Sequence, residues 1–307
     1  MAAQRYTGGR AVAGPPGRWA RVAPQLMLTP AAFGLVVVAV GPAIYALALA
    51  FTRSSLGQPL ERWSGFANFR ALVLEPEFGL TLLRTVLFAL PVSLIQLSLG
   101  LAIALLLQAL RQGQFVRSLI LLPLMTPPVL VGVAWKLLLA PAGGLVNGFL
   151  LRSGVVNEPV SLLGSTTWAL PALMLADTWQ WLPFMVLLCF AALQTLPTDV
   201  YEAAALDGAS VRSVFLRITL PLLAPALLGI FLLRVVMSLK TFDLVYILTA
   251  GGPGRDTTLA SYEVWKSGLQ NFDIGVAAAQ TLLFALAVGF VTWPILRALR
   301  WVEHRTG

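Results

Sequence analysis

Two opposite charges, Asp177 and Arg234, interrupt stretches that are otherwise continuously apolar. A charge near the centre of a membrane helix costs roughly 2.5–3.5 kcal/mol on insertion scales, so each needs a partner or a wet cavity. Asp177 opens the run Asp177-Thr178-Trp179-Gln180-Trp181, which places a carboxylate, two hydrogen-bonding side chains and two indoles together. Asp177 lies about nine residues into its apolar stretch, ~14 Å at 1.5 Å per residue, and Arg234 about five residues below the outer end of another. The depths allow contact if the two helices are neighbours. One reading is a structural ion pair. The other is a polar lining for a solute path, with Trp179, Trp181 and Tyr246 as stacking surfaces. Aromatic belts at membrane interfaces explain many of the same rings. Lys136 and Lys240 lie near outer ends and read as side chains snorkelling to the interface.

A second chemistry is docking. Glu202 to Pro225 is a polar, alanine-rich island between two apolar stretches. Pro197 stops the preceding helix. Asp199 followed by Glu202 has the spacing of a capping box, with Asp199 as N-cap. Val200 to Leu206 then reads as a helix of about two turns, roughly 12 Å long, and Gly208 supplies a left-handed stop. Ala203, Ala204 and Ala205 keep the helix slim enough to lie in a groove. Ser210 can cap a following helix carrying Arg212 and Phe215, and Pro221 and Pro225 should break or bend the entry to the next span. An ordinary amphipathic loop and a docking surface both fit these residues.

The elements that must position these groups are membrane helices. The 307 residues are 58% hydrophobic and only 11% charged, far from the balance of a soluble domain. Six apolar stretches approach or exceed the length of a span: Pro24–Phe51, Leu82–Leu110, Val116–Ala140, Trp168–Leu193, Ile218–Leu239 and Ile274–Leu299. The expected class is an all-α membrane protein, because a barrel would need short alternating segments. Residues 1–22 read as a basic N-terminal tail, 23–302 as the membrane domain with a loop at 197–216, and 303–307 as a short C-terminal tail. The apolar segment after the tail is too long for a signal h-region and should remain as the first span.

With a cytoplasmic N-terminus, Arg5, Arg10, Arg18, Arg21, Arg111, Arg117, Arg212, Arg217, Arg297, Arg300 and Arg305 fall inside. Arg53, Arg62, Arg70, Arg84, Arg152, Arg255 and Lys266 fall outside, a modest positive-inside margin. An even number of spans then makes both termini cytoplasmic and exposes Glu202 to the cytoplasm. The net charge of +8 reads as this bias and as attraction to anionic lipid; a nucleic-acid role is a poor fit, because the basic residues form no single stripe. Cys189 and His304 are the only cysteine and histidine, which excludes an intrachain disulfide, a Ser-His-Asp triad and a zincin motif, and makes a metal cluster a poor reading. No Gly-Lys dipeptide exists, so a phosphate-cradling P-loop is absent. Gly251-Gly252-Pro253-Gly254 lacks that lysine and reads as an irregular loop.

Glu202, Ala203, Ala204, Asp207, Gly208 and Ala209, followed by Phe215, Ile218, Leu220, Pro221 and Pro225, resemble the E-A-A loop of permease subunits of bacterial binding-protein-dependent ABC importers. Asp177 to Phe184, Lys240 to Gly254 with the following Thr258-Leu259, and Gly144-Leu145-Val146-Asn147 are similar to the carbohydrate-importer branch, which resembles the maltose and glycerol-phosphate permeases. The resemblance covers roughly residues 24 to 300. It implies a six-span type I importer fold and no enzymatic activity in this chain. It implies docking of an ATPase on the Glu202 loop, with ATP and magnesium bound by that ATPase and no cofactor here. The implied partners are a second permease, two ATPase subunits and an extracytoplasmic solute-binding protein, and the implied solute is a sugar or related polar molecule. A non-sugar solute such as glycerol phosphate, an ion-gradient-driven secondary transporter and a non-transporting membrane anchor remain as alternatives. No internal repeat supports a secondary transporter built of inverted halves.

Overall fold

The computed structural model describes residues 18–109 and 118–306. Residues 1–17, which hold Arg5 and Arg10, and residues 110–117, which hold Arg111, Arg117 and the expected boundaries Leu110 and Val116, lie outside the described residues. From Arg18 the chain is helical.

Among the described residues, five helices are long and apolar enough to cross a bilayer: Leu26–Ala50, Pro76–Ala109, Ala169–Leu193, Val211–Leu239 and Ile274–His304. They correspond to the first, second, fourth, fifth and sixth expected spans. The third stretch is divided into Leu122–Met125 and Pro128–Leu138. Thr126 is extended (ψ 127°) because the residue before a proline is driven out of the helical region, and Pro127 follows in the same extended state. Pro128–Leu138 has only 11 residues, about 16 Å at 1.5 Å per residue. Five long helices and one broken apolar stretch thus replace six continuous spans.

The second and fourth spans cross closely at Gly100. A Cβ there would stand 2.8 Å from Cβ of Met185. Below this crossing Ala104, Cys189, Leu193, Leu223 and Leu227 form one apolar core. Above it Phe88, Val92, Val131, Leu173, Val245 and Leu259 form another. The second, fourth and fifth spans thus make one packed unit. The first span is different. None of its residues Val36–Val40 is buried, and it packs mainly by Leu49 and Ala50 against Leu72, Phe78, Ala278 and Ala279.

An all-helical expectation misses one element. Strand β1 (Thr52–Ser55) pairs antiparallel with β2 (Gln58–Trp63) immediately after the first span. Thr52 and Ser54 turn inward, and their hydroxyls meet at 2.7 Å. Few apolar alternations mark this hairpin in the sequence, because β2 is exposed throughout. Between the fifth and sixth spans the chain forms short helices Asp243–Leu248 and Ala260–Trp265. The glycine-rich loop between them has Gly251 at φ +83° and Gly254 at φ +56°. Arg255 ties this loop to Glu263 at 2.8 Å and to Glu77 at 3.4 Å.

Candidate functional site

Asp177 and Arg234 are each 1% exposed, and they form a direct ion pair through Asp177 Oδ2 and Arg234 Nη2. Gln96 of the second span completes the arrangement. Its Nε2 donates to Asp177 Oδ2 at 2.8 Å, and its Oε1 accepts from Arg234 Nε. One residue from each of three helices is therefore bonded to the other two. Such a network offsets much of the desolvation cost of two buried charges, which an isolated pair would meet poorly. Asp177 Oδ1 has no hydrogen-bond partner among the described residues.

Asp177 also borders a cavity of about 230 Å³ with Gln180, Trp181, Thr241, Phe242 and Asp243. The cavity exists because the fifth helix ends at Leu239 and restarts at Asp243. Lys240 and Thr241 in that gap line the cavity too. Trp181 connects cavity and network, since the Arg234 guanidinium lies 5.2 Å from its ring centroid.

The other two expected aromatics lie elsewhere. Trp179 is 42% exposed and meets Trp135 edge-on at 6.3 Å. Tyr246 stacks on Phe242 at 5.7 Å and packs against Trp265 at 5.0 Å. Asp177, Trp181 and Arg234 converge; Trp179 and Tyr246 do not line this cavity. Sequence reasoning missed Gln96 and the Thr241–Asp243 lining. Gln96 was findable, as a long polar side chain in the middle of an apolar stretch. Lys136 does not simply reach out to the interface, because its Nζ donates to the Ile247 carbonyl at 3.0 Å.

The Glu202 island forms a helix over Thr198–Leu206 with Pro197 as N-cap. No side chain caps it, so the expected capping box is overturned. Extended Pro197 (ψ 130°) starts the helix two residues earlier than an Asp199 cap requires. Asp199 falls in the first turn, where a carboxylate is favoured by the helix dipole. The C-terminal stop is as expected. Gly208 sits at φ +66°, its N–H reaches Ala205 O at 3.1 Å, and the Ala209 N–H reaches Ala204 O at 3.0 Å. This is the two-bond pattern of a left-handed helix cap. Ser210 Oγ then accepts from Ser213 N at 3.3 Å and caps the next helix. Phe215–Thr219 widens into a π turn, so Pro221 and Pro225 are carried within a helix that continues from Val211 to Leu239. The widened turn gives the proline ring room that a regular turn denies it.

Ala204 is the one buried residue of this short helix. Glu202, Ala203, Asp207, Gly208 and Ala209 are exposed. Glu202 borders a cleft with Tyr201, Thr219, Leu105 and Leu193, where the Tyr201 hydroxyl bonds Thr219 Oγ1 at 3.0 Å. Leu206 and Val211, on either side of the Gly208 turn, are 90% and 88% exposed. His/Cys/Asp/Glu groups able to hold a metal are absent among the described residues.

Residues 96–307 match the family described as binding-protein-dependent transport system inner membrane component. The chain belongs to that family. It is similar to the trehalose/maltose transport system permease protein MalF of Thermococcus litoralis, 34% identical over 86% of this chain and 90% of that protein. It is 34% identical to the sulfoquinovosyl glycerol transport system permease protein SmoG of Agrobacterium fabrum, with 91% of each chain covered. It is 31% identical to the sn-glycerol-3-phosphate transport system permease protein UgpA of Rhizobium meliloti, over 92% of this chain and 94% of that one. A chain in the crystal structure of a bacterial ABC transporter that imports alginate has the same fold, with a TM-score of 0.78, 23% identity and coverage of 92% of this chain and 98% of its own. The permease is thus an all-α membrane protein of the importer fold, with the hairpin as its one departure.

Proposed function

We propose that this permease passes a sugar or a related polar solute across the inner membrane, and that the Thr198–Leu206 helix receives the ATPase that drives the movement. The single observation that carries the solute path is the buried Asp177–Gln96–Arg234 network meeting a polar and aromatic cavity at Asp177 and Trp181. A membrane-buried carboxylate beside a cavity is a functional arrangement more often than a packing accident. Asp177 and Gln180 bring polar groups to this cavity, and Trp181 offers a ring face. Relatives named for disaccharide, sulfosugar and glycerol-phosphate transport support the polar class. A neutral hydroxylated solute suits this cavity better than a phosphate, because Arg234 is committed to Asp177 and Asp243 offsets Lys240.

Docking is supported by the exposed Glu202–Ala209 surface and by the apolar side chains of Leu206 and Val211 at its turn. The loop then faces the cytoplasm and both termini lie on that side. The working assembly pairs this chain with a second permease and two ATPases, with a solute-binding protein on the opposite face. ATP-driven closure of the ATPases draws the docked helices together and switches access to the cavity. The test is uptake in proteoliposomes holding the assembled importer, with labelled maltose, trehalose and glycerol phosphate offered in the presence of the binding protein. ATP-dependent accumulation of a neutral sugar is the expected result. Gradient-driven uptake by this chain reconstituted alone would sink the proposal.

A further inference from the structure

The hairpin and the short helix that follows it carry three arginines on the face of the protein away from the Glu202 loop. Arg53 and Arg62 are direct cross-strand partners. On one face of an antiparallel pair such side chains start about 5 Å apart, and like charges so placed destabilise the ladder. Arg70 adds a third charge on helix Ala67–Leu74. All three are exposed, and the ion pairs of the described residues include none of them. They also run against the positive-inside bias of the chain. Glu61 and Asp273 border Arg53 in one surface hollow and offset part of this charge; the remainder calls for an anion.

Geometry holds these charges at the depth of the membrane surface. At the hairpin base, the Ser64 N–H reaches the Phe51 carbonyl at 2.9 Å. Asn68 Nδ2 donates to the carbonyls of Ala50 and Thr52, both at 2.9 Å. At the tip, Ser55 bridges to Asp273 and the Leu56 N–H reaches Phe272 O at 2.9 Å. The base is thus pinned to the end of the first span and the tip to the start of the last. The hairpin lies across two span ends and does not stand away from them.

Apolar side chains fill the spaces between the charges. Trp63 stacks on Phe51 with centroids 5.8 Å apart and is still 71% exposed. Phe66 meets Phe51 edge-on at 5.1 Å and is 72% exposed. Val73 and Leu74 are also open, at 73% and 69%. Through Phe51 this surface continues the exposed apolar flank of the first span. Arginine interleaved with tryptophan and phenylalanine at a span end matches the headgroup zone of a bilayer, where aromatic rings settle and arginine meets phosphate. Such a surface would be costly to leave in water.

We infer that Arg53 and Arg62 form a binding site for the phosphate of an anionic phospholipid, and that Trp63 and Phe66 seat the hairpin in the interface of that leaflet. The loosely packed first span is thereby held at its depth. The experiment uses the full chain in vesicles, with a bimane label at Trp63→Cys, or in a second variant at Phe66→Cys, each on a Cys189→Ser background. Quenching by shallowly brominated phospholipids should exceed quenching by aqueous iodide several-fold at both positions. Exchanging phosphatidylcholine for phosphatidylglycerol should raise the thermal unfolding temperature of the unlabelled protein. Arg53→Gln with Arg62→Gln should remove most of that rise, and Arg53→Lys with Arg62→Lys should keep it. Labels open to iodide in vesicles, and shielded only when the binding protein or the second permease is added, would overturn the lipid site in favour of a protein contact. A phosphatidylglycerol effect unchanged in the double glutamine variant, or reproduced by inorganic phosphate, would overturn it as well.

Discussion

The Asp177 network and the Thr198–Leu206 helix are opposite solutions to placing polar groups in an apolar protein. The network is internal: three side chains from three helices bond to one another at 0–1% exposure, and Asp177 borders a cavity. The short helix is open: it buries Ala204 alone and presents Leu206 outward. A buried charge pair gains its stability inside the chain, so damage there should reach the fold. If the open helix docks a partner, as proposed, damage there should spare the fold and disable the coupling.

The largest expected effect separates the two regions directly. Asp177→Asn or Arg234→Gln alone should cost about 3–5 kcal/mol, because each leaves one buried charge without its counter-ion. The double variant should recover much of that loss. Unfolding in detergent, followed by tryptophan fluorescence, measures all three proteins. Two single variants of normal stability would break the comparison at its root. If the double variant folds well but its uptake shows altered solute affinity, the network serves both packing and path.

Gly208→Val should act in the reverse manner. A β-branched residue at φ +66° is strained, and the cap that aims the docking surface should be lost. Transport is expected to vanish while membrane insertion and solute-free stability stay near normal. Glu202→Lys should do the same through its charge. Normal uptake at normal expression in both variants would count against docking at this helix.

Smaller changes sharpen the contrast. Leu206→Ala should weaken ATPase binding about tenfold, or ~1.4 kcal/mol, with no change in unfolding of the isolated subunit. Co-purification under titrated salt would read it, and unaffected retention would remove Leu206 from the interface. Ser210→Ala removes the cap on Ser213 N and should cost about 1 kcal/mol or less. Partial loss of coupled ATPase activity is expected, which restoration by Ser210→Asp would confirm as capping.

The two regions also differ in how well they could be read beforehand. The Thr198–Leu206 helix is a local object. Its proline start, alanine run and glycine stop are set within a dozen residues, and only the N-cap was misplaced, because Pro197 and not Asp199 begins the turn. The buried network is assembled from residues far apart in the chain. Depth arithmetic could show that Asp177 and Arg234 were able to meet, but the side chain that bridges them, Gln96, is uncharged and lies in a third span far from both in the chain. The surroundings of Trp179 and Tyr246 were out of reach for the same reason. Their type suits a solute path, but what they touch depends on helix rotation, which sets Trp179 against Trp135 and Tyr246 against Trp265.

Composition by itself determined a helical membrane protein, since lipid leaves uninterrupted Leu, Ala, Val and Phe stretches no other way to satisfy their backbone. Local residue order also determined where helices stop, down to the left-handed turn at Gly208, because caps and prolines act over a few residues. The break in the third apolar stretch is of the same local kind, since Thr126 and Pro127 each precede a proline and go extended. Only the tertiary structure decided which polar side chains share a site, because helix rotation and neighbour choice depend on packing across the whole bundle. The hairpin belongs to the same class: its register rests on Asn68, Ser64 and Asp273, which reach it from other elements.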